Sequence, residues 1–287
     1  MNSVSIVEVA PRDGLQNHDF SFSTASKIIF IEDLAAAGLV VIEAASFVNP
    51  RAVPKMSDGG EVMSGVDRQP GVRYLALVPN TQGLERAIAA GVDAIALFAS
   101  ATEEFSKANL NASIDDVFAR FSAVMDLARS QSLWVRGYLS VAFHCPFHGG
   151  VSIDEALPAI QRLADLGCDE IALADTTGSA TPEQVDRLVA ASLHILPPQK
   201  LALHCHDTAG LALSNVQVGY ERGLRIFDGS AGGIGGCPFS PGAPGNVATE
   251  SLVRYFGQRG IETGVDAAAV ERAYETLLQR PDLNQAS

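Results

Sequence analysis

The stretch Leu166-Gly167-Cys168-Asp169-Glu170-Ile171, running on to Ala174-Asp175, decides the fold. A helical pattern stops at Gly167 and a short apolar run follows with no intervening loop. The same junction recurs at Ala37-Gly38-Leu39-Val40-Val41-Ile42, Ala90-Gly91-Val92-Asp93-Ala94-Ile95 and Arg222-Gly223-Leu224-Arg225-Ile226-Phe227. Glycine just past a helix end can take the left-handed backbone that stops it. A compact apolar run, rather than an alternating one, is how a strand buried on both faces reads.

Working outward, four more strands are expected at residues 4–9, 72–78, 133–143 and 200–206. Helical patterns lie between them, with clear start signals. Thr181-Pro182-Glu183-Gln184 and Ser152-Ile153-Asp154-Glu155 both read as capping boxes, the first with Pro at the opening helical position. Eight strands alternating with helices, without a Pro/Ser-rich linker, give a parallel sheet with helical crossovers. A closed (β/α)8 TIM barrel suits that count better than an open doubly wound sheet, because no GxGxxG fingerprint follows the first strand. The 287 residues are within the range of such a barrel, so residues 1–287 are expected to form a single domain.

Composition narrows the partners. A net charge of −13 argues against nucleic acid, whose phosphates require clustered Lys and Arg. No run of about 18 apolar residues is present, so no membrane span is expected. The strand-like Val4–Val9 begins almost at once, so no signal or transit peptide is expected either. Cys145, Cys168, Cys205 and Cys237 are far apart and form no CxxC pair. These features are those of a reduced, soluble, cytoplasmic protein.

Barrels of this kind carry their chemistry on the loops at the C-terminal ends of the strands. Reactive residues fall there. Arg12-Asp13 follows the first strand, Glu43 ends the second, Asp175 the sixth, and His204-Cys205-His206 the seventh. Side chains two apart on a strand share a face, so His204 and His206 can converge on a metal or, alternatively, form a hydrogen-bonded pair. Cys205 then points at the helices as a small buried apolar group, and Asp207-Thr208 caps the next helix. Asp13 could complete a mixed nitrogen–oxygen site of the kind that suits Mg²⁺ or Mn²⁺ and keeps open positions. Gly232–Asn246 is too glycine-rich for a mere connection and lacks a P-loop ending. It reads as a lid, with Cys237 either an acid–base thiol or incidental.

The motifs VEVAPRDGLQN (7–17, from Val7), VIE (41–43) with SFV (46–48), VRGY (135–138), ADTTG (174–178), LHCHDT (203–208), and GGCP (235–238) through GNVATE (245–250) resemble the 3-hydroxy-3-methylglutaryl-CoA lyase family of TIM-barrel metallolyases. They run in family order along nearly the whole chain. The resemblance implies a divalent cation on Asp13, His204, His206 and Asn246, and catalytic roles for Arg12, Asp13, His204 and Cys237. It also implies that Gln16, Glu43, Tyr138, Arg136, Asp175 and Glu250 shape the site. The sequence departs from the family's pattern at Phe143-His144, Phe147, Pro241 and Pro244, which bears on the acyl pocket more than on the reaction.

The implied reaction is metal-dependent retro-Claisen cleavage of an acyl-CoA, 3-hydroxy-3-methylglutaryl-CoA, to acetyl-CoA and acetoacetate, as in leucine and ketone-body catabolism. The metal lowers the pKa of the tertiary hydroxyl, and Asp13 or His204 takes its proton. Arg12 stabilises the enolate, Cys237 protonates it, and Glu43 and Asp175 orient Arg12 and the ligands. Alternatives are a lyase for a bulkier 3-hydroxy-3-alkylglutaryl-CoA, a Claisen-type acyl-CoA synthase, and a non-catalytic barrel binding metal or CoA esters. Lys107, Arg51 and Lys55 are candidates for the CoA phosphates by charge alone. A homo-oligomer, dimer or larger, is expected from the resemblance.

Overall fold

The computed structural model describes residues 3–236 and 245–280. Eight parallel strands among them close a barrel: β1 (Ser5–Glu8), β2 (Val41–Ser46), β3 (Arg73–Leu77), β4 (Ala94–Ser100), β5 (Trp134–Ser140), β6 (Glu170–Asp175), β7 (Leu201–Cys205) and β8 (Ile226–Gly229). Each pairs with its sequence neighbours, and β1 pairs with β8 to complete the ring. This is the (β/α)8 architecture that the repeated junction predicts. Gly38, Gly91, Gly167 and Gly223 all have positive φ, between 74° and 101°, so each stops a helix three residues before the next strand begins.

The alternation along a strand sorts the two cores. On β6, Ile171 and Leu173 face outward into the apolar layer shared with the helices, while Ala172 faces the barrel interior. The interior core is built largely of small and aliphatic side chains, among them Leu75, Leu77, Ala94, Ala96, Ala172 and Ala202. That leaves room on the axis for long polar side chains from β2, β5 and β8.

The helix starts match the sequence reading. Ser152 and Thr181 both form complete capping boxes, with Glu155 and Gln184 as their partners. Asp207 behaves differently from expectation. Helix Ala212–Glu221 begins after Leu211, which offers no side-chain cap. The Asp207 carboxylate instead reaches forward five residues to accept the Ala212 N–H at 3.0 Å. Cys205 is buried as expected. Among the described residues no helix is long and apolar enough to cross a membrane.

Candidate active site

The chain after β1 winds into a single π-helical turn, Ala10–Gly14, in which the Val9 carbonyl accepts N–H groups from Arg12, Asp13 and Gly14. Such turns recur at functional sites because they re-aim side chains that a regular helix would splay. Here the turn directs Arg12 and Asp13 together over the barrel mouth. Arg12 donates from Nη1 to Asp13 Oδ1 at 2.8 Å, and its Nη2 pairs with Glu43 Oε2 at 2.7 Å. Its Nε has no hydrogen-bond partner among the described residues.

Across the mouth, His204 near the end of β7 and His206 just beyond it point the same way, with ring centroids 5.2 Å apart. One ligating atom each from Asp13, His204 and His206 lies within 4.8 Å of the others. Asn246 is brought in by the backbone: it forms an antiparallel bridge with His206, flanked by Asp207 N–H to Gly245 O and Val247 N–H to Cys205 O, both 3.0 Å. Its side-chain amide donates to Asp13 Oδ2 at 2.8 Å.

Electrostatics prepares this cluster for a cation. Burial, and then the neighbouring His204, push His206 down to about 4, so its imidazole is neutral near pH 7, as ligation requires. Burial favours the protonated form of Asp13, but Arg12, the two imidazoles and the Asn246 hydrogen bond outweigh it and hold the carboxyl below its ordinary range. Two imidazole nitrogens, an ionised carboxylate and a nearby amide make a donor set that fits a hard or borderline divalent ion.

Beneath the mouth lies a buried polar lattice that joins the expected Glu43, Arg136 and Tyr138 to Asp228 and Glu170, which sequence reasoning did not foresee. His204 Nδ1 contacts Asp228 Oδ2 at 3.0 Å, and β7 and β8 place the two residues in register. Arg136 holds Asp228 through both η nitrogens, at 2.5 and 3.2 Å, and its Nε lies 2.7 Å from Glu170. Arg136 also donates to Tyr138 Oη at 2.8 Å, and Tyr138 in turn donates to Glu43 at 3.4 Å. Burial opposes ionisation of Asp228, yet Arg136 and His204 keep it below the usual carboxylate range. Only its position at the end of an apolar run, Ile226-Phe227-Asp228, hinted at Asp228 in the sequence.

A cavity of about 260 Å³ opens over the cluster, with Arg12, Asp13, Gln16, Tyr138, His204 and His206 on its wall. Val48, Leu77, Phe98 and Phe121 form an apolar flank. The other expected site residues lie elsewhere. Glu43 sits under Arg12, and Arg136 is deeper still. Asp175, expected to orient ligands, accepts N–H groups of Ser179 and Ala180 in its own loop, and burial pushes it up to about 6. Glu250 accepts the Gly232 N–H at 3.3 Å, at the start of the glycine-rich loop. Phe143 and Phe147, expected to alter the acyl pocket, are not on the described wall of this cavity. Lys55 donates to the His18 carbonyl, and Lys107 lies 3.7 Å from Glu103. Cys237, Pro241 and Pro244 fall outside the described residues.

Comparison with known proteins agrees with this fold. The family model described as HMGL-like matches residues 3–277. The cytoplasmic 3-hydroxy-3-methylglutaryl-CoA lyase of Rattus norvegicus is 46% identical over 270 residues, 94% of this chain and 79% of the relative. The solved HMG-CoA lyase of Brucella melitensis superposes with a TM-score of 0.94 at 46% identity, covering 97% of this chain and 99% of that one. An HMG-CoA lyase of Acinetobacter baumannii, solved with coenzyme A and 3-methylmalate, gives 0.92 at 39% identity, over 99% of this chain and 94% of that one.

Proposed function

The chain belongs to the HMGL-like family, and we propose that it is a hydroxymethylglutaryl-CoA lyase, cleaving 3-hydroxy-3-methylglutaryl-CoA to acetyl-CoA and acetoacetate. One observation carries this reading: donor atoms of Asp13, His204 and His206 converge within 4.8 Å on the cavity wall that also holds Arg12. In our reading Asp13, His204, His206 and Asn246 hold Mg²⁺ or Mn²⁺. When bound, the cation polarises substrate oxygens and makes the tertiary hydroxyl more acidic.

The protein's own groups do the rest. The C3 hydroxyl loses its proton, the O–C3 bond becomes a carbonyl, and the C2–C3 bond breaks, leaving its electron pair on C2 as the thioester enolate. His204 has Nδ1 committed to Asp228, so as a ligand through Nε2 it has no lone pair left for a base. Asp13 is therefore our choice for removing the hydroxyl proton. Arg12 spends one N–H of each η nitrogen on the carboxylates and keeps further N–H donors for the enolate oxygen. Cys237 supplies the proton that C2 gains. Gln16 and Tyr138 contact the substrate, and Glu43 and Arg136 fix the guanidinium and the tyrosine from below. Asp175 and Glu250 shape the adjoining loops.

On the same reading, residues 1–287 act as one barrel domain in a cytoplasmic homo-oligomer serving leucine and ketone-body catabolism. The test is acetyl-CoA release from 3-hydroxy-3-methylglutaryl-CoA after chelation, with and without restored Mg²⁺ or Mn²⁺. Cation-dependent cleavage is expected. No cleavage by folded, cation-loaded protein would overturn the reading.

A further inference from the structure

The inward face of β5 carries Arg136, Tyr138 and Ser140 in a column that rises to the mouth. Arg136 and the Tyr138 hydroxyl are bonded within the lattice below. Ser140 is only 1% exposed, yet its hydroxyl has no hydrogen-bond partner among the described residues. It lies on the wall of the same cavity as Arg12, Asp13 and His204. Buried hydroxyls are almost always bonded, so one that faces a cavity without a protein partner is available to whatever occupies that cavity.

Its neighbours show why it is left over. Ser100, its register mate on β4, spends its hydroxyl on Thr102, donating to the carbonyl at 2.8 Å and accepting the N–H at 3.1 Å. Thr176 uses its own hydroxyl to accept the Val141 N–H. On the other side, Leu139 pairs with Leu173, which sets Ser140 beside Ala174, and Ala174 is in register with His204. Ala174 thus separates the serine from the imidazole with a methyl group, which cannot bond to either. The result is a slot with a candidate cation ligand at one wall and an unsatisfied O–H at the other.

We propose that Ser140 is a substrate-contacting residue whose hydroxyl donates to an oxygen of the acyl chain lying across Ala174. This rests on the lyase reading. The acceptor is either the thioester carbonyl or the terminal carboxylate, and the size of the effect separates them. A hydrogen bond to a neutral acceptor is worth roughly tenfold, and one to a charged acceptor up to roughly a hundredfold.

The experiment compares wild type with Ser140→Ala in three measurements: kcat/KM on 3-hydroxy-3-methylglutaryl-CoA, Mn²⁺ affinity, and the melting temperature without ligand. The expected result is a kcat/KM loss of about tenfold for the carbonyl, or about a hundredfold for the carboxylate. Mn²⁺ affinity stays unchanged, and the melting temperature stays level or rises, because a buried orphan has been removed. Three results would overturn the assignment: kcat/KM within twofold of wild type, a fall in melting temperature alongside lost activity, or weakened Mn²⁺ binding. A wild-type protein that fails to cleave the substrate would overturn the lyase reading and this assignment with it. An active wild type matched by Ser140→Ala would overturn this assignment alone.

Discussion

Two buried arginines in this barrel are built alike. Arg12 pairs with Asp13 at 2.8 Å and Glu43 at 2.7 Å, and its guanidinium lies 6.0 Å from the centre of the Tyr138 ring. Arg136 pairs with Asp228 at 2.5 Å and Glu170 at 2.7 Å, 4.7 Å from the centre of the same ring. In both, burial disfavours the charge, flanking carboxylates outweigh it, and the guanidinium stays protonated. The difference is what the outer face meets. Arg12 borders the cavity, with a flanking acid, Asp13, whose side chain is 15% exposed. Arg136 is sealed below, against an Asp228 side chain only 1% exposed. The same kind of ion cluster thus borders a cavity at the mouth and is sealed in the interior beneath it.

The largest effect expected from that contrast is on stability, at the lower site. Arg136→Met strands Asp228 and Glu170 in the interior, and removing one partner of a buried ion pair costs about 3–5 kcal/mol. Urea unfolding should show that loss, together with weaker retention of His204 geometry. An unchanged midpoint would mean the sealed cluster contributes nothing. At the mouth the balance reverses. Arg12→Lys keeps a charge but cannot span both carboxylates and lacks Nε. Turnover should fall by about 10²–10³, while the unfolding midpoint shifts by less than about 1 kcal/mol, since Glu43 can take up a proton and cavity water can reach the gap. A Lys variant with normal kcat would remove the guanidinium from the chemistry.

The two clusters were also unequally legible. The strand–helix alternation and the convergence of His204 with His206 follow from local spacing: glycine after a helix, and period two along a strand. Arg12 and Asp13 stood out because they follow a strand directly. Asp228 and Ser140 did not, because their meaning depends on partners that only barrel closure creates. Asp228 meets a residue 92 positions away, and the Ser140 hydroxyl is informative only because neighbouring strands offer it no acceptor. The bridge that delivers Asn246 to His206 spans a loop whose path no periodicity describes. Asp175 was legible by its place at a strand end, while its bonds to Ser179 and Ala180 belong to a turn that strand periodicity does not describe.

Asp228 connects the two regions, and a smaller effect tests that connection. Asp228→Asn keeps the shape but removes the charge that holds the Nδ1 proton of His204. Loss of such a supporting hydrogen bond typically weakens cation affinity 10–100-fold. Titration with Mn²⁺ followed by electron paramagnetic resonance measures this without recourse to turnover. Wild-type affinity in the variant would show that His204 is oriented by packing alone and that the lower cluster is not coupled to the upper.

The last contrast is with a buried acid that has no arginine. The Glu8 carboxylate accepts N–H groups of Ala10 at 2.8 Å and Ala231 at 3.0 Å and the Thr249 hydroxyl at 2.7 Å, so it ties the Arg12 turn to the start of the glycine-rich loop. Burial pushes it from 4.5 up to about 7, against those hydrogen bonds and with some help from Glu250. A raised acid pKa contributes stability that is complete below 4.5 and is lost as pH climbs through about 7. Glu8→Gln mimics the protonated form and keeps an acceptor for both N–H groups. It should lie close to wild type at pH 5 and exceed it increasingly as pH rises to 8. Asp175, pushed up to about 6, titrates in the same window in both proteins, so only the difference between their melting curves reports on Glu8. Parallel curves from pH 5 to 8 would mean that Glu8 stays ionised without a guanidinium, and that the arginines flanking the other buried acids are not what keeps those charged.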